Sequence, residues 1–117
     1  MSKPIRCILL IDDDPDDNFL HRLVIEESGL CEEVREVTTA TEALRYITQP
    51  DTADHPFPSL MLLDVNMPGM NGFEFLDEYH RRVPNPPLEA QVLLFTAAEN
   101  PAEPARAQTY RGIAGYH

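Results

Sequence analysis

Short unbroken apolar runs alternate along the chain with longer segments whose apolar residues recur every three or four positions. Cys7-Ile8-Leu9-Leu10-Ile11 is apolar throughout, the pattern of a strand covered on both faces. Asp14-Pro15-Asp16-Asp17 then reads as a helix start, with a capping acid, a proline at the first helical position and acids in the first turn. The helix places Leu20, Leu23 and Val24 on one face and is predicted to stop near Gly29. Val34 to Val37 is a short second strand. Thr39-Ala40-Thr41-Glu42 matches a capping box, and Ala40, Ala43, Leu44 and Ile47 follow at the spacing of a helix with one buried face. Pro50, Pro56 and Pro58 mark residues 50–58 as a loop, one placed where it could affect the choice of partner.

Leu60-Met61-Leu62-Leu63 predicts a third strand. Asn71 and Glu74 form a cap-like pair that opens a helix carrying Phe73, Leu76 and Tyr79 or His80, and Pro84, Pro86 and Pro87 end it. Gln91 to Phe95 is a fourth strand. Asn100-Pro101 could open a further helix, short and easily deformed because Pro104 falls in its first turns. Ile113 to Tyr116 begins a fifth strand. Strands separated by helices imply parallel pairing with right-handed crossovers, hence an α/β sheet with helices on both faces. In such folds ligands bind at the carboxyl ends of the strands. Asp12 and Asp13, Asp64 and Thr96 follow the first, third and fourth strands, so all of them converge there.

Composition narrows the chemistry. The 117 residues make one domain, 1–117, and are 43% apolar, enough for a core. The net charge of -11 disfavours direct nucleic-acid binding and favours cations or a basic partner surface. Lys3 is the only lysine. Cys7 and Cys31 read as reduced thiols rather than a disulfide framework. The longest apolar runs are far below the ~20 residues that span a bilayer, so a soluble cytoplasmic protein without membrane contact is expected. The histidines, at 21, 55, 80 and 117, have no convincing zinc-ligand spacing. Phe73, Phe75 and Tyr79 read as packing residues, as do Met61, Met67 and Met70.

Carboxylates crowded at strand ends repel one another unless a cation is present. A hard divalent ion with oxygen ligands suits them, and Mg2+ commonly takes one or two carboxylates with water and phosphate. Asp13 and Asp64 are the first choices for direct ligands, with Asp12 holding a coordinated water. Asp14, Asp16 and Asp17 read instead as first-turn acids that complement the helix dipole. An EF-hand reading of Asp12-x-Asp14-x-Asp16 fails, because its sixth position is Asp17 rather than Gly and its twelfth is Leu23 rather than Glu. A dehalogenase-type phosphatase reading of Asp12-x-Asp14 lacks the lysine such enzymes use to hold the phosphoryl group.

Leu9-Leu10-Ile11-Asp12-Asp13-Asp14-Pro15-Asp16-Asp17 resembles the first acidic cluster of receiver domains from two-component response regulators, of the stand-alone chemotaxis-regulator type. Leu62-Leu63-Asp64-Val65-Asn66-Met67-Pro68-Gly69-Met70-Asn71-Gly72 resembles their phosphoacceptor segment. Leu94-Phe95-Thr96-Ala97 and Gly115-Tyr116 resemble the later motifs, in the same order along the whole chain. The resemblance implies a flavodoxin-like, doubly wound parallel sheet of five strands in the order 2-1-3-4-5. It implies that Asp64 takes a phosphoryl group from a sensor histidine kinase or phosphotransfer protein. Asp12, Asp13, Asp64 and the main-chain carbonyl of Asn66 would hold Mg2+. Thr96 would contact the phosphoryl group, Tyr116 would be the aromatic switch, and small Ala97 would leave room for the donor.

The sequence departs from the family in one respect. The family carries a lysine a few residues after the Gly-Tyr pair and then a final helix, and this chain stops at His117, before both. A C-terminally incomplete receiver domain is therefore expected, without its last helix. Such a piece should bind Mg2+ better than it switches, and could dimerise or swap segments to cover an exposed sheet face. The rival readings are a receiver fold used as a phosphorylation-independent interaction module, and an Mg2+-dependent phosphohydrolase acting on an external substrate.

Overall fold

The computed structural model describes residues 4–65, 67–84, 86, 90–95 and 113–116, the side chains of Phe95 and of 113–116 excepted. Chain order is β1 (Ile5–Ile11), α1 (Pro15–Ser28), β2 (Cys31–Val37), α2 (Ala40–Ile47), β3 (Leu60–Asp64), α3 (Gly72–Arg82), β4 (Gln91–Phe95) and β5 (Ile113–Tyr116). The strands form one five-stranded sheet in the order β2-β1-β3-β4-β5, and every pairing is parallel. This is the flavodoxin-like arrangement that the motifs implied. The second strand begins at Cys31 rather than Val34, because its polar first half pairs with β1 through Ile5↔Cys31 and Cys7↔Glu33. The helix expected after Asn100 lies outside the described residues.

Alternation along the strands sends residues to two unequal layers. Leu9, Ile11, Met61, Leu63, Val92 and Leu94 pack with Ala43, Leu44 and Ile47 of α2 and with Phe73, Phe75, Leu76 and Tyr79 of α3. Burying each of the larger side chains contributes about 1.5–3 kcal/mol. On the other face Ile8, Leu10 and Cys31 form a smaller cluster, joined by half-buried Ile25, Val34, Leu60 and Leu62. There the structure differs from what the stripe on α1 suggests. Leu20, Leu23 and Val24 share a side of α1 as expected, but they are 57%, 41% and 69% exposed, and Phe19 is 55% exposed. The residues that turn inward are Asn18, fully buried, and half-buried His21, Arg22 and Ile25, at i, i+3, i+4 and i+7 along the helix.

Helix ends follow the local chemistry. Asp14 caps α1 by accepting from the Asp16 N–H at 2.9 Å, and Gly29 ends it at φ 68°, a left-handed conformation suited to glycine. Thr39 caps α2 through the Glu42 N–H, while the Glu42 carboxylate accepts from the hydroxyls of Thr38 and Thr39. Asn71 and Glu74 form the reciprocal box that opens α3. Cys7 and Cys31 are both buried thiols, and the Cys31 thiol donates to the Glu33 carbonyl at 2.9 Å. Among the described residues no helix is long and apolar enough to cross a membrane.

Candidate functional site

Strand register brings the acids together. Ile11 pairs with Leu63 across β1 and β3, so Asp12 and Asp64 come next on neighbouring strands. Asp64 itself pairs with Phe95 of β4. One carboxylate oxygen from each of Asp12, Asp13 and Asp64 lies within 4.8 Å of the other two. Asp12 is buried, Asp64 half-buried and Asp13 exposed, so the group sits in a notch between sheet and solvent.

Asp12 is held from several directions. Its N–H donates to the Val37 carbonyl at 3.3 Å, and its Oδ1 accepts from the Asp14 N–H at 2.9 Å. Its Oδ2 is buried with no hydrogen-bond partner among the described residues. Burial pushes the Asp12 carboxyl up from its ordinary 3.8 to about 6. The bond from Asp14 works against this rise, and the nearby charges of Asp64, Asp17 and Asp13 add to it. A buried carboxylate oxygen without a donor, beside two more carboxylates, fits a hard cation. Hydrogen-bond donors would be the alternative compensation, and Oδ2 has none within the described residues.

Two residues with no role read from the motifs shape this notch. Gly72 opens α3 with its N–H on the Val65 carbonyl at 2.9 Å. A Cβ there would stand 2.8 Å from Val65 Cα and 2.9 Å from the Asp64 carbonyl oxygen. Only a residue without a side chain lets the helix start close over the backbone of Asp64 and Val65. Asn18 lies in the second turn of α1, fully buried, its side chain turned toward the Asp12 backbone. Its signal in the sequence is a polar residue on the inward face of a helix, four positions after the cap.

The remaining site residues fall as follows. Asn66 and Thr96 lie outside the described residues. Tyr116 ends β5, where its backbone pairs with Leu94, one residue before the β4 position that faces Asp64. A separate cleft of about 530 Å3 runs along α2 and the following loop, lined by Val37, Glu42, Arg45, Tyr46, Pro50 and His55, and holds none of the three acids.

Comparison with known proteins places the chain by family and fold. The profile of the response regulator receiver domain matches residues 8–116. The nitrate/nitrite response regulator protein NarL of Escherichia coli (strain K12) is 33% identical over 109 residues, which are 93% of this chain and 45% of NarL. The chain thus spans about half the length of that relative. Response regulator Rcp1 of Synechocystis is 31% identical over 101 residues, 85% of this chain and 67% of its own length. A solved Mn2+-bound form of Rcp1 superposes with a TM-score of 0.77 at 26% identity, covering 95% of this chain and 78% of that one. A two-component response regulator from Cytophaga hutchinsonii superposes with a TM-score of 0.88 at 30% identity, covering 98% of this chain and 85% of that one.

Proposed function

The chain belongs to the response regulator receiver domain family, and from that premise we propose that it is a phosphorylation switch with Asp64 as the phosphoacceptor. The observation that carries this reading is the meeting of the Asp12, Asp13 and Asp64 carboxylates within 4.8 Å at the carboxyl ends of β1 and β3. The donor is a phosphohistidine on a sensor histidine kinase or phosphotransfer protein. A carboxylate oxygen of Asp64 attacks the phosphorus and forms an acyl phosphate. The bond from phosphorus to the imidazole nitrogen breaks, and the imidazole keeps the electron pair and takes up a proton.

Asp12, Asp13, Asp64 and the Asn66 carbonyl would hold Mg2+. When bound, it neutralises the charge that the phosphoryl oxygens bring to an acidic site. The chain's own residues supply alignment. Asp12 is fixed by bonds to Val37 and Asp14, and Asp64 by the close seat of Gly72. Thr96 would donate its hydroxyl to a phosphoryl oxygen, and Tyr116 would change rotamer as Thr96 moves. The added charge then biases a two-state surface read by a downstream protein. Residues 1–117 act as one receiver domain in the cytoplasm, as a signalling module rather than an enzyme with an external substrate. The open stripe on α1 supports pairing with a second copy, or a segment exchange, as part of this reading.

The test is intact-protein mass after incubation with a small phosphodonor and Mg2+. A single phosphoryl adduct that disappears in Asp64→Asn and without metal is the expected result. An adduct that persists in Asp64→Asn would overturn the assignment. No adduct with any donor would favour a phosphorylation-independent interaction module.

A further inference from the structure

Asn18 is the one buried residue of α1, and it is an amide. A fully buried polar side chain is costly unless its groups are paired. Its Nδ2 donates to the Asp12 carbonyl at 3.1 Å and to the Val37 carbonyl at 3.2 Å. These carbonyls lie at the carboxyl ends of β1 and β2, and Val37 also accepts from the Asp12 N–H. The Asn18 N–H meanwhile donates to the Asp14 carbonyl at 3.2 Å. The segment from Asp12 to Asn18 is thus closed on itself twice, once through side chain and once through backbone, and is tied to β2. The oxygen of the amide has no partner among the described residues, so Asn18 is held there by its donor side alone. Aspartate in its place would set a charge against two carbonyl oxygens, and leucine would leave the Asp12 carbonyl without this donor.

We propose that Asn18 is a positioning residue for the cation site, fixing the Asp12–Asp13 peptide so that both carboxylates face Asp64. Free of Asn18, the Asp12 carbonyl turns to find another donor, because an unpaired buried acceptor is unfavourable. That rotation carries the peptide bond to Asp13 with it. Asn18 acts through the backbone and touches neither the cation nor the phosphoryl group. The inference rests on the cation-site reading of the acids given above.

The experiment titrates Mn2+, as a stand-in for Mg2+, into wild type, Asn18→Ala, Asn18→His and Ile47→Ala, reading free Mn2+ by electron paramagnetic resonance. Circular dichroism establishes folding of each. Histidine keeps an N–H donor at the position of the amide nitrogen. Ile47→Ala removes core packing at the opposite end of α2. Loss of Asn18 is expected to weaken Mn2+ binding about tenfold or more, as removal of an outer-shell partner does. Asn18→His recovers most of the affinity, and Ile47→Ala binds as wild type does. In the phosphodonor assay, Asn18→Ala is slow at low Mg2+ and recovers at saturating Mg2+. Wild-type affinity in folded Asn18→Ala would overturn the proposal, as would equal weakening by Ile47→Ala. Failure of both Asn18 variants to fold would assign the residue to stability alone and also overturn it. Wild type that binds no Mn2+ would instead sink the cation-site reading on which the proposal rests.

Discussion

Burial of Asp12 beside Asp13 and Asp64 has a thermodynamic signature. Its folded pKa of about 6 lies above the ordinary 3.8 that holds in the unfolded chain, so the folded state keeps the proton across that interval. Through this group the metal-free protein gains stability as pH falls through about 6, and loses it as pH rises past that value. Asp12→Asn mimics the neutral form. In chelator, the variant is expected to melt above wild type at about pH 7–8, with the gap narrowing as pH falls below about 6 and closing near 3.8. A gap independent of pH would show that Asp12 does not titrate there. Mg2+ should raise the melting temperature of wild type more than that of the variant, and its affinity should fall on acidification as protons compete for the ligand. Gly72 acts by shape rather than charge. Its contacts are backbone atoms of Asp64 and Val65, which cannot step aside as a side chain would. Gly72→Ala is expected to cost about 1–3 kcal/mol in urea unfolding, and an unchanged midpoint would refute the close seat.

At the level of elements, the capping chemistry was legible because it is local. Asp14, Thr39 and Asn71 each cap the helix that their sequence context predicts. Asn71→Ala is expected to cost about 1 kcal/mol, measured by thermal melting, and to free the start of α3 over Asp64. The loop between α2 and β3 was legible as a loop from its prolines, but its anchoring was not. Arg6 of β1 reaches Asp51 and the Thr52 carbonyl, and Arg35 of β2 reaches the Asp54 carbonyl. The Tyr46 hydroxyl donates to the Pro56 carbonyl at 2.6 Å, and its ring stacks on His55 with centroids 3.9 Å apart. The partners lie up to 46 residues apart in sequence, so no local pattern announces them. Tyr46→Phe removes the bond to Pro56 together with the 4.0 Å contact between the hydroxyl and the Cys7 thiol, and should cost about 1 kcal/mol, with faster amide exchange across residues 51–57. Exchange as slow as in wild type would mean that Arg6 and Arg35 hold the loop without it.

Across the fold, the described residues cover the two sheet faces unequally. Among them, α2 and α3 pack one face around a large cluster, and α1 turns Asn18, His21, Arg22 and Ile25 toward the other. Phe19, Leu20, Leu23 and Val24 therefore form an apolar stripe facing outward. On this acidic chain the stripe can join two copies only if apolar burial exceeds charge repulsion, so association should strengthen with salt. Sedimentation velocity is expected to show concentration-dependent association of this chain, lost in the Leu20→Glu, Val24→Glu double variant. Because both positions are exposed, each substitution should change the folding free energy by only about 0.5 kcal/mol. A parent that stays monomeric at all salt concentrations would leave the stripe without a role in self-association.

What depends on near neighbours and on the alternation of strand and helix was legible from the chain alone. The Cys7 to Ile11 run, the caps at Asp14 and Asn71 and the acids at strand ends specified a parallel α/β sheet with its chemistry at one edge. Its motifs identified the family that the comparisons then showed. Tertiary structure decided what depends on contacts between distant segments. Which side of α1 turns inward was such a case, because Leu20, Leu23 and Val24 obey helical spacing equally well when the helix faces them outward. The placement of Asn18 against Asp12 and Val37 was another, as was the need for glycine at position 72. The spacing of residues along one chain fixes which of them share a face. Only packing against a second element fixes where that face points and which backbone groups it must satisfy.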